Sequence, residues 1–258
     1  MAKPSPTLDP LALTEEVKRW ARPLVESLAD NFASLYLYGS GLEAGFVPGK
    51  SDLNLLLVAR SLSGSTLRAL ASAWPGDWAA GTRVNLVALT EDQVARSLDS
   101  FALEIADVRA RGKLVAGHDS LGKDPVPADA LRTHIERELR ILLVRLRRGF
   151  LAARHEPDLL SGVLASSVAT LVACARGIGY LTDAPVASSA ESALTSAAGW
   201  AGIDSRPWLE AWRLRREPAA STETLYIEFL DACDAFMRSV DAFASTGSPS
   251  RSSSASHA

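Results

Sequence analysis

The sequence has few features that would place it in a specialised class of protein. Its two cysteines, Cys174 and Cys233, lie far apart and outside any Cys-x-x-Cys spacing, which argues against a disulfide scaffold and against a zinc site. Charged residues make up 22% of the chain and the formal net charge is only -3, so the overall charge does not favour a nucleic-acid partner. The first residues lack the apolar run of a signal peptide, and we therefore expect a cytoplasmic protein.

Long hydrophobic runs are also scarce. Residues 159–175 carry no charged side chain, but this stretch is shorter than the ~20 apolar residues that a membrane span needs, and serine, threonine and glycine interrupt it. Such a composition is typical of a helix that is buried in a bundle. We therefore expect no membrane partner.

The first half of the chain has the pattern of a mixed α and β structure. Three runs have the composition of strands and a fourth resembles a short edge strand; they are Leu35–Tyr38, Leu53–Val58, Thr82–Leu89 and Lys113–Ala116. Helical patterns lie before and between them. The first begins at Asp9-Pro10, where a residue that favours the N-cap precedes a proline at the first helical position.

After Pro127 the pattern changes. Apolar residues recur at helical spacing from Leu131 to Phe150, and no strand pattern returns. The sequence therefore predicts the α+β class. An α and β domain at residues 10–125 is followed by an all-α helical bundle at 126–244 and by a serine-rich tail at 245–258, which we expect to be disordered.

A glycine-serine pair and an acidic strand end carry the chemistry that this sequence offers. Gly39 and Ser40 follow the first predicted strand. Because glycine has no Cβ, backbone N–H groups can approach a phosphate there, and the serine adds a hydroxyl. Asp52 and Asn54 are two residues apart at the start of the second strand, so their side chains project from the same face. Oxygen ligands in this arrangement suit Mg²⁺, whose coordination is completed by water and substrate phosphate.

These residues carry a family resemblance. Tyr38-Gly39-Ser40, separated by eleven residues from Asp52-Leu53-Asn54, resembles the Gly-Ser and Asp-x-Asp/Glu signature of the DNA polymerase beta-like nucleotidyltransferase superfamily. The resemblance covers roughly residues 30–120, and Ser100–Arg109 is similar to a segment of bacterial nucleotidyltransferase-domain proteins. It implies a small mixed-sheet nucleotidyltransferase fold followed by the helical bundle.

The resemblance also implies partners and site residues. The expected partners are a nucleoside triphosphate and an unknown acceptor, and the expected cofactor is Mg²⁺ with Asp52 as its ligand. The predicted nucleotide-binding residues are Gly39, Ser40, Lys50 and Ser51. The predicted catalytic residues are Asp52, Asn54 and Asn85.

The chain departs from the signature at two of these positions. Asn54 and Asn85 are amides where the resemblance implies carboxylates, and an asparagine offers a carbonyl oxygen without a charge. Two functions therefore stay open. One is the transfer of a nucleoside monophosphate from a nucleoside triphosphate to a hydroxyl acceptor with Mg²⁺, and the other is a catalytically degenerate module that binds a nucleotide or a partner.

Side chains outside the motif leave further alternatives open. Three acids would restore charge to the site if the fold brought one of them to Asp52; they are Glu43, Glu104 and Asp107. The first predicted bundle helix is basic; its arginines are Arg132, Arg137, Arg140, Arg145, Arg147, Arg148 and Arg154. Such faces are usually solvated or paired with acids, and the alternative is a basic wall that holds triphosphate or RNA. The tryptophans of the second half are expected in the core.

Overall fold

The α+β class is confirmed. The computed structural model describes residues 9–43, 46, 52–79, 81–96, 100–122, 125–153, 155–215, 217 and 223–246. The strands are β1 (Phe32–Tyr38), β2 (Leu53–Ala59), β3 (Val84–Thr90) and β4 (Lys113–Gly117). The helices of the described residues are α1 (Pro10–Leu28), α2 (Gly64–Ser72), α3 (Glu91–Arg96), α4 (Ala102–Arg111), α5 (Ala128–Ala153), α6 (Pro157–Leu181), α7 (Ala190–Ala201), α8 (Arg206–Leu214) and α9 (Glu223–Thr246). A short 3₁₀ helix, Gly39–Leu42, follows β1 directly.

The four strands form one mixed sheet in the order β3-β2-β1-β4. β1 is antiparallel to β2 and β4, and β2 is parallel to β3. The register places Tyr38 opposite Asn54, and Asn54 opposite Asn85. Because side chains alternate between the two faces of a strand, these three side chains form a row on one face of the sheet.

The two faces of the sheet carry separate cores. On one face, alternate leucines such as Leu35, Leu37 and Leu55 pack with buried residues of α1. On the other face, Tyr36 and Tyr38 pack with Leu56, Val58 and Leu89, together with Val108 of α4. The side chains of β2 therefore alternate, since its leucines at odd positions fill one core and Asn54 lies on the other face.

Packing divides the chain into two compact units. Unit 1 comprises residues 1–134 and 172–197, and unit 2 comprises residues 135–171 and 198–258. The predicted domain boundary after residue 125 stays a prediction. The packing groups residues 172–197, from the helical half of the sequence, with the sheet.

The predicted tail begins two residues too early. α9 ends at Thr246, so Ser245 and Thr246 are helical although they were assigned to the disordered segment. Helix ends commonly differ from a sequence pattern by one or two residues, because the last turn depends on local hydrogen bonds. Residues 247–258 lie outside the described residues.

Aromatic residues fill the core of unit 2. The side chains of Trp208 and Phe236 are fully buried, with ring centroids 5.3 Å apart, and Trp200 packs edge-on against Phe236 at 6.1 Å. The hydroxyl of Tyr226 donates a hydrogen bond of 2.7 Å to the carbonyl of Leu146. Core packing of these tryptophans is therefore confirmed.

Two arginines of the basic face of α5 are paired with acids of the same unit. Arg140 donates to Asp241 at 3.0 Å, and Arg147 donates to Asp234 at 3.2 Å. For these two side chains the expected pairing is confirmed. Arg154 lies outside the described residues.

The apolar composition of α6 was considered above as a membrane signal. Among the described residues it is the one helix that is long and apolar enough to cross a membrane, and half of its most apolar window is buried inside the protein. The core helix of a soluble protein has the same length and composition. The absence of a membrane partner stays a prediction.

Both cysteines are thiols in the protein interior. Cys174 on α6 and Cys233 on α9 are buried thiols. Burial raises the pKa of the Cys233 thiol.

Candidate functional site

The 3₁₀ helix after β1 brings the backbone of Gly39 against the side chain of Asn54. Gly39 has a φ of +72°, and a Cβ at this position would lie 2.7 Å from Nδ2 of Asn54. The positive φ favours glycine, and a Cβ here would also displace the Asn54 amide. The sequence predicted such an approach of the backbone for a phosphate, and the structure shows the position directly beside the start of β2.

The amides of Asn54 and Asn85 lie side by side. Nδ2 of Asn85 donates a hydrogen bond of 3.2 Å to Oδ1 of Asn54, across the parallel pair of β2 and β3. Asp52 lies one residue before β2 and is partly exposed. The structure therefore brings Gly39, Asn54 and Asn85 together at one end of the sheet, with Asp52 on the adjoining segment.

Three predicted nucleotide-binding groups cannot be placed in this site. The side chain of Ser40 and the residues Lys50 and Ser51 lie outside what the structure describes. Their roles stay predictions.

We expect replacement of Gly39 by alanine to destabilise the protein. The substitution forces a residue with a Cβ into a left-handed conformation and against the Asn54 amide, which costs about 1–2 kcal/mol. Chemical unfolding of Gly39→Ala measures this cost. Gly162→Ala is the matched control, because Gly162 is an exposed residue of α6 with no atom within 4 Å of an added Cβ. There alanine should raise stability by about 0.5–1 kcal/mol. Equal effects at both glycines would contradict the close approach.

The donor set does not fit a pair of Mg²⁺ ions. Asp52 is one carboxylate, and the two neighbouring strand positions supply neutral amides, of which Asn54 already accepts a hydrogen bond through its Oδ1. In two-metal sites shared oxygen ligands hold ions ~4 Å apart, and negative ligands must offset the repulsion between the ions. The described residues hold no group of three His, Cys, Asp or Glu side chains that would bind a metal ion.

The acids of α4 lie on the same face of the sheet as the asparagine row. Burial and the negative charges of Glu104 and Asp107 together raise the pKa of Tyr38 to about 12. Oε2 of Glu104 is buried, and none of the described residues hydrogen-bonds to it; Nδ1 of His134 lies 4.0 Å away. Glu104 is therefore an acid beside Tyr38, and Tyr38 lies opposite Asn54 in the register of β1 and β2.

The other two candidate acids belong to a buried charge network in unit 1. Its members are Glu43, Asp107, Arg111, Arg176 and Tyr180. Arg111 donates two hydrogen bonds to Asp107, at 2.9 and 3.1 Å, and the hydroxyl of Tyr180 donates a third at 2.7 Å. Arg176 donates to Glu43, and Nη1 of Arg111 lies 3.8 Å from Oε1 of Glu43. Two guanidinium groups therefore compensate two carboxylates.

The pKa shifts in this network follow from its contacts. Burial alone would raise the pKa of Asp107, but the hydrogen bonds and charge of Arg111 outweigh it, and Arg176 and Tyr180 act in the same direction, so this pKa lies below its ordinary value. Burial and the charge of Asp107 raise the pKa of Tyr180. Asp107 is therefore a fixed anion near neutral pH, and neither it nor Glu43 is free to replace a missing carboxylate.

Sequence reasoning missed this network, although one signal pointed to it. Arg176 is the single charged residue between Leu159 and Thr182, inside an otherwise apolar helix. A charge in such a segment is rarely buried unless it is paired. The pattern therefore predicts a buried acid as its partner, but not which one.

Known proteins resemble this chain in structure rather than in sequence. No protein-family model and no curated protein matches the sequence. The structure is similar to that of a spectinomycin adenyltransferase from Enterococcus faecialis with ATP and spectinomycin, with a TM-score of 0.57 and 16% identity over 89% of this chain and 98% of that chain. At this identity the likeness shows the fold alone. The chain therefore has a nucleotidyltransferase-type fold with a helical part, as predicted.

Proposed function

We propose that this protein binds a nucleoside triphosphate at the end of the sheet formed by Gly39, Asn54 and Asn85, and that it does so without two-metal catalysis. The observation that carries the proposal is the hydrogen-bonded pair of amides at Asn54 and Asn85 beside the close backbone approach of Gly39. Membership of the DNA polymerase beta-like superfamily is part of the same proposal. It is supported by the motif and by the fold.

Backbone geometry supports binding of a phosphate. The residues from Gly39 to Leu42 form a 3₁₀ helix, whose first N–H groups have no partner within the helix, and glycine leaves room for an anion to approach them. The fold likeness adds support, because the structural neighbour was solved with ATP. The neutral amides of Asn54 and Asn85 supply both N–H donors and carbonyl oxygens to a ligand without adding charge.

The charge of the site sets the expected role of Mg²⁺. With Asp52 as the carboxylate of the motif, the site attracts a divalent cation weakly. We expect the dissociation constant of ATP to change by less than about threefold between EDTA and millimolar Mg²⁺, which corresponds to about 0.6 kcal/mol. Isothermal titration calorimetry measures both values.

Asp52 provides the decisive variant for this expectation. Without a metal, its carboxylate repels the triphosphate by about 0.7 kcal/mol at ~6 Å in a water-like dielectric, so Asp52→Asn should bind ATP about threefold more tightly in EDTA. Asp30→Asn, at the opposite end of β1, is the matched control and should leave the affinity unchanged. Weaker binding of ATP by Asp52→Asn in millimolar Mg²⁺ would contradict the proposal, because it would show that the carboxylate serves a metal-bound nucleotide.

A second candidate function is transfer of a nucleoside monophosphate from a nucleoside triphosphate to a hydroxyl acceptor, with Asp52 and one Mg²⁺. It is favoured by a specific observation: the similarity to an adenyltransferase extends over the helical part as well as the sheet. Incubation of the protein with labelled ATP, GTP, CTP and UTP over panels of hydroxyl acceptors tests it. Product that depends on Asp52 would establish transfer, and equal background in wild type and Asp52→Ala would exclude it for the acceptors tested.

A further inference from the structure

Glu43 is the first residue after the 3₁₀ helix Gly39–Leu42, and its carboxylate is held on both oxygens. Glu43 follows Leu42 directly and is only 6% exposed. Its Oε1 accepts a hydrogen bond from Arg176 of α6, and its Oε2 accepts one of 3.2 Å from the backbone N–H of Ala190, the first residue of α7. Arg111 of α4 adds a third contact, with its Nη1 3.8 Å from Oε1 of Glu43. One side chain thus ties the end of this segment to three helices of unit 1.

We propose that Glu43 is a positioning residue for the nucleotide site. Its contacts hold the Gly39–Leu42 segment so that the backbone of Gly39 stays beside the amide of Asn54 and its N–H groups face the bound phosphates. The inference rests on the proposed function, because it assigns the fixed geometry of this segment to nucleotide binding.

Apolar packing of this segment is less directional than the hydrogen bonds of Glu43. A Cβ at Gly41 would lie 3.1 and 3.4 Å from side-chain carbons of Leu37 and Leu13, and Leu42 packs against the core that contains them. Apolar contacts of this kind do not select one position of the main chain. Hydrogen bonds to both oxygens of a buried carboxylate fix a single side-chain conformation, and therefore the position of the main chain four residues after Gly39.

The network contains its own control. Asp107 is buried in the same network, but it lies on α4, and its hydrogen bonds to described residues join it to Arg111 and Tyr180 rather than to the Gly39–Leu42 segment. Removal of either carboxylate leaves a buried arginine without its acid. Asp107→Asn therefore reproduces the loss of charge compensation without release of the segment.

Two measurements on the full chain test the proposal. The first is hydrogen exchange of the backbone amides of residues 39–43, compared with the amides of β2. We expect Glu43→Gln to accelerate exchange in the segment by about tenfold or more and Asp107→Asn to leave it within about twofold of wild type, since local opening is governed by the contacts of that segment. Unchanged exchange in Glu43→Gln would overturn the proposal whether or not a nucleotide binds.

The second measurement is the affinity for ATP in EDTA, at a temperature where all variants are folded. If release of the Gly39–Leu42 segment leaves the binding geometry populated in about one molecule in ten, Glu43→Gln should bind ATP about tenfold more weakly than wild type. Asp107→Asn should bind ATP with the affinity of wild type. Equal weakening in both variants would overturn the positioning role. Wild type that binds no nucleotide while Glu43→Gln shows faster exchange would overturn the proposed function and would confine the role of Glu43 to the local structure.

Discussion

Replacement of Asn54 and Asn85 together by aspartate is expected to create a magnesium site. The amides are already in hydrogen-bond contact at 3.2 Å, so two carboxylates in their places would repel each other by about 4 kcal/mol at ~4 Å and an effective dielectric near 20. A divalent cation relieves that repulsion. Without metal the double variant should therefore be less stable than wild type, and excess Mg²⁺ should restore about 2.7 kcal/mol at a concentration 100 times its dissociation constant. Thermal unfolding in EDTA and in Mg²⁺ measures this difference.

The position of the two charges is tested by a matched variant. Asn31 directly precedes β1 and lies near the opposite end of β2, where its side chain hydrogen-bonds to the backbone of Ser61. The variant Asn31→Asp with Asn85→Asp adds the same total charge but separates it along the sheet, and its stability should be insensitive to Mg²⁺. If the Asn54→Asp and Asn85→Asp double variant shows no greater response than this control, the geometry of the asparagine pair is wrong.

Substitution of Asp107 by asparagine is expected to lower the free energy of unfolding by about 3 kcal/mol at pH 7, because it leaves Arg111 partly uncompensated in the interior. The effect depends on pH with a definite sign. The pKa of Asp107 is lowered in the folded protein, so its stabilisation is fully present above the unfolded-state pKa of about 3.9 and is lost as the pH falls through the lower folded-state value. The difference between wild type and Asp107→Asn should shrink only below about pH 4.

An exposed ion pair supplies the comparison for that substitution. Asp234 bonds to Arg147 and Arg238 on the surface of unit 2. Asp234→Asn should cost about 0–1 kcal/mol, since solvent screens such pairs. Urea unfolding at pH 7 and at several lower pH values compares the two variants. A cost at Asp107 no larger than at Asp234 would contradict the burial and compensation of the network.

Local patterns were sufficient to predict where β2 and α1 begin. β2 begins at Leu53 as predicted and ends one residue later than predicted, and α1 begins at Pro10 after Asp9. These elements depend on composition and periodicity within a few residues. β1 was predicted from Leu35 but begins at Phe32, because Phe32 and Ser34 pair with β2 across an irregular register that no local pattern encodes.

The contacts of the candidate site also differ in how well the sequence predicts them. The approach of Gly39 to the start of β2 could be predicted because the motif residues are close in sequence. The contact of Asn54 with Asn85 depends on the parallel pairing of β2 and β3, which the local sequence pattern does not specify. The bond between Glu43 and Arg176 joins residues 133 positions apart, and nothing in either neighbourhood identifies the partner. Long-range ion pairs are set by packing, which periodicity does not describe.

The composition of the chain permits a direct test of the proposed site. Asn31, Asn54 and Asn85 are its only asparagines, so selective ¹⁵N labelling of asparagine gives three side-chain amide groups to observe by nuclear magnetic resonance. We expect ATP in EDTA to shift the signals of Asn54 and Asn85, to leave Asn31 unchanged, and to show no further change when Mg²⁺ is added. Asn54 and Asn85 signals that do not respond to ATP, or that respond only after Mg²⁺ is added, would contradict nucleotide binding without two-metal chemistry.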